Sequence, residues 1–255
     1  MPAGLAQWLF AHSPPVVRWH TVARIHRRHE REIARIDELL PADGVAVDIG
    51  AWWGPWTYWL SRRAGQVITI EPLPHLVEFI RHVAPGNVRV IAAAASDREG
   101  TATLWAPTGG LGSEGRATMH PARLTGSAAM EAVEVPTITV DSLGLDRLDM
   151  LKVDVEGHEL QVIAGAKATI TRCLPVLVIE IEQRFHEQPI SMIFGDIEAL
   201  GYDGYFLSHD QWHALSESDV EAMQSSRAEH AGRGKYGIRR TTDGYVNNFV
   251  FRPRR

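Results

Sequence analysis

The chain has 255 residues, 45% of them hydrophobic and 22% charged, which is enough apolar material for one large α/β domain and too much for wholesale disorder. A formal net charge of −5 argues against a nucleic-acid partner, which would favour a basic face. No run approaches the roughly 18 apolar residues that span a bilayer, and the single Cys173 excludes an internal disulfide. The apolar start of the chain lacks the basic residues of a secretory signal, and His12, Pro14 and Pro15 interrupt it. With the lone thiol, read as a packed side chain, this predicts a cytoplasmic protein.

From Arg18 to Leu40, the spacing of Val22, Ile25, Ile33, Ile36, Leu39 and Leu40 predicts one amphipathic helix, whose other face carries Arg24, Arg27, Arg28, Arg31 and Arg35 with Glu30, Glu32 and Glu38 in solvent. Pro41, Asp43 and Gly44 end it. Apolar strands at Val45–Ile49, Val67–Ile70, Val88–Ala93, Met150–Val153 and Val176–Ile181 then alternate with helical stretches at Trp56–Arg63, Leu76–Val83 and Glu159–Ile170. That alternation marks a mostly parallel sheet covered on both faces. Tyr205–Leu207 and Val246–Arg252 add two strands, one of them antiparallel. Two regions interrupt the pattern. Pro107–Ala132 is a glycine-rich insertion between strands at Thr101–Ala106 and Val133–Val140, of the length expected for a lid or for disorder; Ser208–Thr242 is polar and irregular. The chain thus divides into a helical extension, 1–44, and one domain, 45–255.

The strongest local signal is Val45-Ala-Val-Asp-Ile-Gly-Ala-Trp-Trp-Gly54. An apolar strand ends in Asp48, Gly50 and Ala51 form a tight turn, and Gly54 opens a helix whose free N–H groups suit a carboxylate. Asp48 can accept from an ammonium. A second strand ends in Glu71, placed to take both hydroxyls of a ribose, because ligands of open α/β sheets sit beyond the strands' carboxyl ends. After the third strand, Ala95-Ser96-Asp97 stands where an adenine edge would lie. The implied ligand is a nucleoside amino acid, S-adenosylmethionine. A dinucleotide site wants G-x-G-x-x-G, and this turn gives D-x-G-x-x-x-G, with an acid that would repel pyrophosphate. The alternative is a strand–turn–helix with no ligand.

These blocks, with Glu71-Pro72, Val140-Asp141-Ser-Leu143, Leu151-Lys-Val-Asp-Val-Glu-Gly-His-Glu159, Gly165-Ala166 and Asn247-Asn-Phe-Val-Phe251, resemble the FkbM family of methyltransferases over about Asp48 to Arg252. The resemblance implies a Rossmann-like class I methyltransferase fold with a seven-stranded sheet, and transfer to oxygen on a sugar, glycan or secondary metabolite. The chain departs from the family in its aromatic turn, where Trp52, Trp53, Trp56, Tyr58 and Trp59 follow one another. Most of these are read as packing on the first helix. Trp105 and Trp212 stand as acceptor contacts, since aromatic faces stack on sugars.

Methyl transfer to a hydroxyl needs alignment and a proton acceptor, or a cation that stabilises the developing charge. The fourth strand delivers Asp154, Glu156, His158 and Glu159 at its carboxyl end, and the fifth delivers Glu180 and Glu182. His158 is the preferred base, with Glu156 the alternative and His186 in reserve, because an imidazole titrates near working pH. Asp154, Glu180 and Glu182 could hold Mg2+, or could instead pair with Lys152 without an ion. The expected partner is a small-molecule or saccharide acceptor. The N-terminal helix packs across a homodimer or caps the acceptor pocket. Two other functions stay open: a binding protein on a retired methyltransferase fold, and transfer to nitrogen, although the loop after the fourth strand lacks the Asn-Pro-Pro-Tyr pattern of amine methyltransferases.

Overall fold

The computed structural model describes residues 12–108, 115, 117–120, 129–225 and 245–254. Helix α1 (Pro15–His29), a 3-10 turn over Arg31–Arg35 and the short α2 (Ile36–Leu39) precede β1 (Val45–Ile49). Then α3 (Pro55–Leu60), β2 (Gln66–Glu71), α4 (Pro74–Val83) and β3 (Val88–Ala92) alternate. Next come β4 (Ala94–Ala95), β5 (Gly100–Pro107), β6 (Met130–Ile138), β7 (Met150–Val153), α5 (Glu159–Gly165), α6 (Lys167–Cys173), β8 (Val176–Glu180) and α7 (Ile190–Glu198). Last are β9 (Tyr202–Ser208), β10 (Gln211–Ala214), α8 (Val220–Ser225) and β11 (Asn248–Pro253).

Among the described residues the main sheet has eight strands in the order β10-β9-β11-β8-β7-β1-β2-β3, one more than the seven expected. β3, β2, β1, β7 and β8 run parallel; β11 is antiparallel to both β8 and β9, and β10 is antiparallel to β9. The eighth strand comes from the stretch expected to be irregular. His209 and Asp210, at φ 49° and 60°, make a two-residue turn that folds β10 back on β9. The rest of that stretch, from residue 226 on, and most of the glycine-rich insertion lie outside the described residues. β5 and β6, which flank the insertion, pair with each other, and β6 also pairs with β4, in a separate three-stranded sheet.

Side chains of a strand alternate between faces, and each face has its own core. On one, Val47, Ile49, Ile68, Ile70, Leu151, Val153, Ile179 and Phe249 pack beneath Val162, Ile170, Ile193 and Ile197 of α5, α6 and α7. On the other, Ala46, Val67, Met150, Val178 and Val250 meet Trp56, Leu60, Leu39 and Ile33. Towards the carboxyl ends of the strands this second face turns polar, through Asp48, Thr69, Lys152, Glu180 and Asn248.

The N-terminal segment covers that face of its own chain. It is not the single helix expected. α1 ends at Glu30 (φ −98°, ψ 90°), and the chain restarts as the 3-10 turn. The break turns Glu30 inward, where it accepts from Trp56 Nε1 at 2.5 Å and meets His26 Nδ1 at 2.8 Å. Trp19 Nε1 donates to the Gly54 carbonyl at 2.9 Å, Trp59 Nε1 donates to the Ala23 carbonyl at 3.0 Å, and His20 Nδ1 meets the Tyr58 hydroxyl. Gly54 stands at φ 72°, and a Cβ there would lie 2.9 Å from the Trp19 indole nitrogen. The aromatic run from Trp52 to Trp59 is therefore largely a dock for α1.

Candidate active site

Between β1 and β7 the strand order reverses, and at such a switch point the two chains diverge to leave a crevice beyond the strands' carboxyl ends. Gly50 closes the bottom of the β1 turn. Its φ is 74°, and a Cβ would lie 1.7 Å from the carbonyl oxygen of Asp154. Any side chain there must push β1 from β7, on top of the cost of a left-handed backbone. Gly50→Ala is expected to lower folding stability by about 3–5 kcal/mol, read from urea denaturation.

Ala51 is buried, and Trp52 follows in the left-handed region at φ 52°. That geometry points the Trp52 backbone N–H at Glu71 Oε2, 2.8 Å away. Glu71 Oε1 accepts from the Leu73 N–H at 2.9 Å. The carboxyl is 4% exposed, and burial pushes it up to about 8, against the pull of those two amides. Two donors leave a desolvated carboxylate with lone pairs to spare. Asp48 is 1% exposed; it accepts from the Thr57 hydroxyl at 2.5 Å, which in turn lies 3.0 Å from Thr69 Oγ1. Burial raises Asp48 to about 6. Asp48 thus sits beneath the turn and ties it to α3. The start of α3 is a weaker anion site than its sequence suggested, because Pro55 at its first turn carries no N–H and the helix has six residues.

On the β7 side, the Asp154 N–H donates to the Ile49 carbonyl, and burial lifts the Asp154 carboxyl to about 6. Glu156 is left-handed at φ 48°; its carbonyl accepts from Thr118 Oγ1 at 2.7 Å, and its Oε2 lies 3.5 Å from Arg184. His158 Nε2 meets Ser96 Oγ at 2.9 Å, and its Nδ1 lies 3.3 Å from His120 Nε2. Burial and then the neighbouring His120 hold His158 down at about 4, so it is neutral at working pH. Ser96, expected at an adenine edge, spends its hydroxyl on His158 and its N–H on the Ile138 carbonyl. His186 is drawn off to Glu159, 3.1 Å away in a buried pair.

The carboxylates placed for Mg2+ do not assemble a cation site. Glu182 is gripped by Arg184 at 2.9 and 3.1 Å and by the Tyr245 hydroxyl at 2.7 Å, and Glu180 accepts from Asn247 Nδ2 at 2.8 Å. Among the described residues no three His, Cys, Asp or Glu side chains converge as a ligand set. Lys152 lies in β7, beneath these acids. Buried, it donates to Asn248 Oδ1 and to the Val153 carbonyl. Burial alone would lower it, but Asp154, Glu30, Glu180 and Asp48 outweigh burial and raise it.

Trp212 is also placed elsewhere. It donates to Glu38 at 2.8 Å on the outermost strand, far from the switch point. Trp105 lies in β5 and exchanges backbone hydrogen bonds with Thr118. His120, Thr118 and Glu30 are the residues the sequence left unmarked. His120 and Thr118 fall in a stretch of no regular pattern, and Glu30 looked like one more solvated charge.

The sequence pattern of the FkbM methyltransferase domain matches residues 43–207, most of the chain and all of the crevice described above. The chain belongs to the FkbM methyltransferase family. Among solved structures, an FkbM methyltransferase from Methylobacillus flagellatus superposes with a TM-score of 0.51 at 14% identity, covering 83% of this chain; the chain spans 43% of that protein's length. A protein of Streptococcus mutans in complex with SAH gives 0.46 at 9% identity, covering 88% and 96% of the two chains. A SAM-dependent methyltransferase from Aquifex aeolicus gives 0.46 at 10%, covering 94% and 98%. No curated protein matches the chain. The fold is that of the class I methyltransferases, and no helix among the described residues is long and apolar enough to cross a membrane.

S-adenosylmethionine fits the residues that this FkbM domain presents. Glu71 is a buried carboxyl short of donors at the carboxyl end of β2, and two ribose hydroxyls would supply what it lacks.

Proposed function

We propose that the domain moves a methyl group from S-adenosylmethionine to a hydroxyl of a sugar, glycan or similar polyhydroxylated small molecule. The bound cofactor supplies an electrophilic methyl group; the chain aligns the acceptor and takes its proton. The observation that carries the reading is the Ser96–His158–His120 string, a neutral His158 imidazole beside a second ring at the β7 end of the crevice. A hydroxyl becomes strongly acidic as its oxygen gains a methyl group, so a weak base near 4 suffices. Both His158 ring nitrogens are engaged, so the proton reaches it through His120, which the insertion lays beside it. Glu156 holds that insertion through its carbonyl, and Asp154 sets the floor of the crevice.

Two further features favour a neutral polyhydroxyl acceptor. The acids at the ends of β7 and β8 would repel a phosphorylated one, and they accept readily from hydroxyls. Trp52 offers an aromatic face beside the crevice, and its indole N–H is buried with no acceptor among the described residues.

The test is a panel of mono- and oligosaccharides incubated with methyl-labelled cofactor. Wild type is expected to label at least one saccharide, with an acid limb of kcat near pH 4. His158→Asn is expected to lose about 100- to 1,000-fold in kcat with S-adenosylhomocysteine affinity intact. Activity is expected to be unchanged in EDTA. Label on amines alone, or an active His158→Asn, sinks the reading.

A further inference from the structure

α1 is bolted down along one face and bare along the other. Trp19, Val22 and Ala23 are buried, and the indole nitrogens of Trp19 and Trp59 fix that face to the domain. Val16, Val17, His20, Arg24, Arg27, Arg28 and, just past the helix end, Arg31 are exposed. Three- and four-residue spacing sets them in one stripe. Residues 12–35 hold six arginines and two acids in a chain of net charge −5. Both acids, Glu30 and Glu32, turn inward, where burial raises Glu32. Every exposed charged side chain from 12 to 36 is therefore an arginine.

Some of these arginines have local work. Arg27 lies 4.4 Å over the Trp59 ring, and Arg31 lies 3.4 Å from Asp210. Arg24 and Arg28 make no hydrogen bond or ion pair among the described residues. The helix is thus a rigid, preformed cationic surface. Its leading end is apolar: Val16 is 60% exposed and Val17 is 50% exposed. The sequence ahead of them, with Leu5, Trp8, Leu9 and Phe10, has no charged side chain before Arg18.

We infer that the exposed stripe of α1 docks the protein on an anionic membrane surface, arginines on lipid phosphates and the valine end against the acyl boundary. A basic stripe joined to exposed valines has the two-part composition of helices that lie in a bilayer interface. A nucleic acid would use the arginines but leave the valines in water. Docking would hold the crevice, which α1 borders through the His26–Trp52 ring contact at 5.2 Å, near acceptors presented at that surface. The inference stands independently of the acceptor reading, since it concerns the far face of the helix.

The test is flotation of the full chain with vesicles of phosphatidylcholine alone and of phosphatidylcholine mixed with phosphatidylglycerol. The protein is expected to float with the anionic vesicles only and to be released by high salt. Arg24→Glu with Arg28→Glu is expected to weaken binding at least tenfold, and Val16→Ser with Val17→Ser severalfold, each with unchanged thermal melting and S-adenosylhomocysteine binding. No flotation, equal flotation with neutral vesicles, an arginine double variant that still floats, or capture by duplex DNA without flotation would each overturn it.

Discussion

Replacing Glu71 by alanine is expected to weaken S-adenosylhomocysteine binding about 100-fold, because two hydroxyl–carboxylate hydrogen bonds vanish and the desolvated cavity remains. Calorimetry adds a readout that a merely structural role would not move. Burial holds the free Glu71 carboxyl at about 8, so at pH 7 it is mostly protonated. Hydroxyl donors favour the charged form and draw its pKa down. Between the lowered value and about 8, binding then releases a proton, and affinity rises with pH across that window. In buffers of different ionisation heat, wild type at pH 7 is expected to release close to one proton per ligand and Glu71→Ala none. Proton uptake by wild type, or unchanged affinity in the variant, would remove Glu71 from the ribose position.

Why Glu71 was readable and His120 was not follows from where the information lies. A strand that ends in a carboxylate is a local pattern: a short apolar run between turn residues can be placed to within a residue or two, and β1, β2 and β7 carry their acids at the expected ends. The misplaced elements depend on distant partners. The periodicity of Arg18–Leu40 survives the break at Glu30, since Val22 before it and Ile33 and Leu39 after it are all buried. Besides the local His26, the partners that meet the inward Glu30 are Trp56 and Lys152, far along the chain.

The expected helix Glu159–Ile170 splits in the same way. Asp141 accepts from the backbone N–H groups of Ala168 at 3.0 Å and Thr169 at 2.7 Å, so α6 starts on a cap supplied from before β7. The β9–β10 turn uses His-Asp where Asn-Gly would have announced it. The carboxylates of β7 and β8 were legible as a cluster, but not their counter-charge. Whether acids converge on a metal, a guanidinium or a lysine depends on side-chain direction, and Arg184, Tyr245 and Asn247 settle it.

Lys152 carries an expected effect on stability as large as that of Gly50. It is 1% exposed, lies 5.6 Å from the centre of the Trp56 ring, and balances Asp154, Glu30, Glu180 and Asp48 beneath the crevice. Removing one partner of a buried ionic set leaves the others uncompensated, which costs about 3–5 kcal/mol. Lys152→Met keeps the volume and discards the charge, and it is expected to lose that amount at pH 8 in urea denaturation. The pH dependence follows from the acids. Asp48 and Asp154 already stand at about 6, above their usual range, so their charged forms are penalised in the folded state, and the penalty fades as pH falls and they take up protons. Without the lysine their values rise further, so the variant should regain stability between pH 8 and pH 5 more steeply than wild type. Glu30 moves the other way: the hydrogen bond and charge of His26, with the charge of Lys152, hold it at about 2 against burial, and losing Lys152 relaxes it upward. Adding Glu30→Gln to Lys152→Met should therefore recover part of the loss at pH 8. A Lys152→Met protein that unfolds at the wild-type urea midpoint at pH 8 would show that these acids are neutral in the folded protein, and that Trp56 and Asn248 alone keep the N-terminal segment in place.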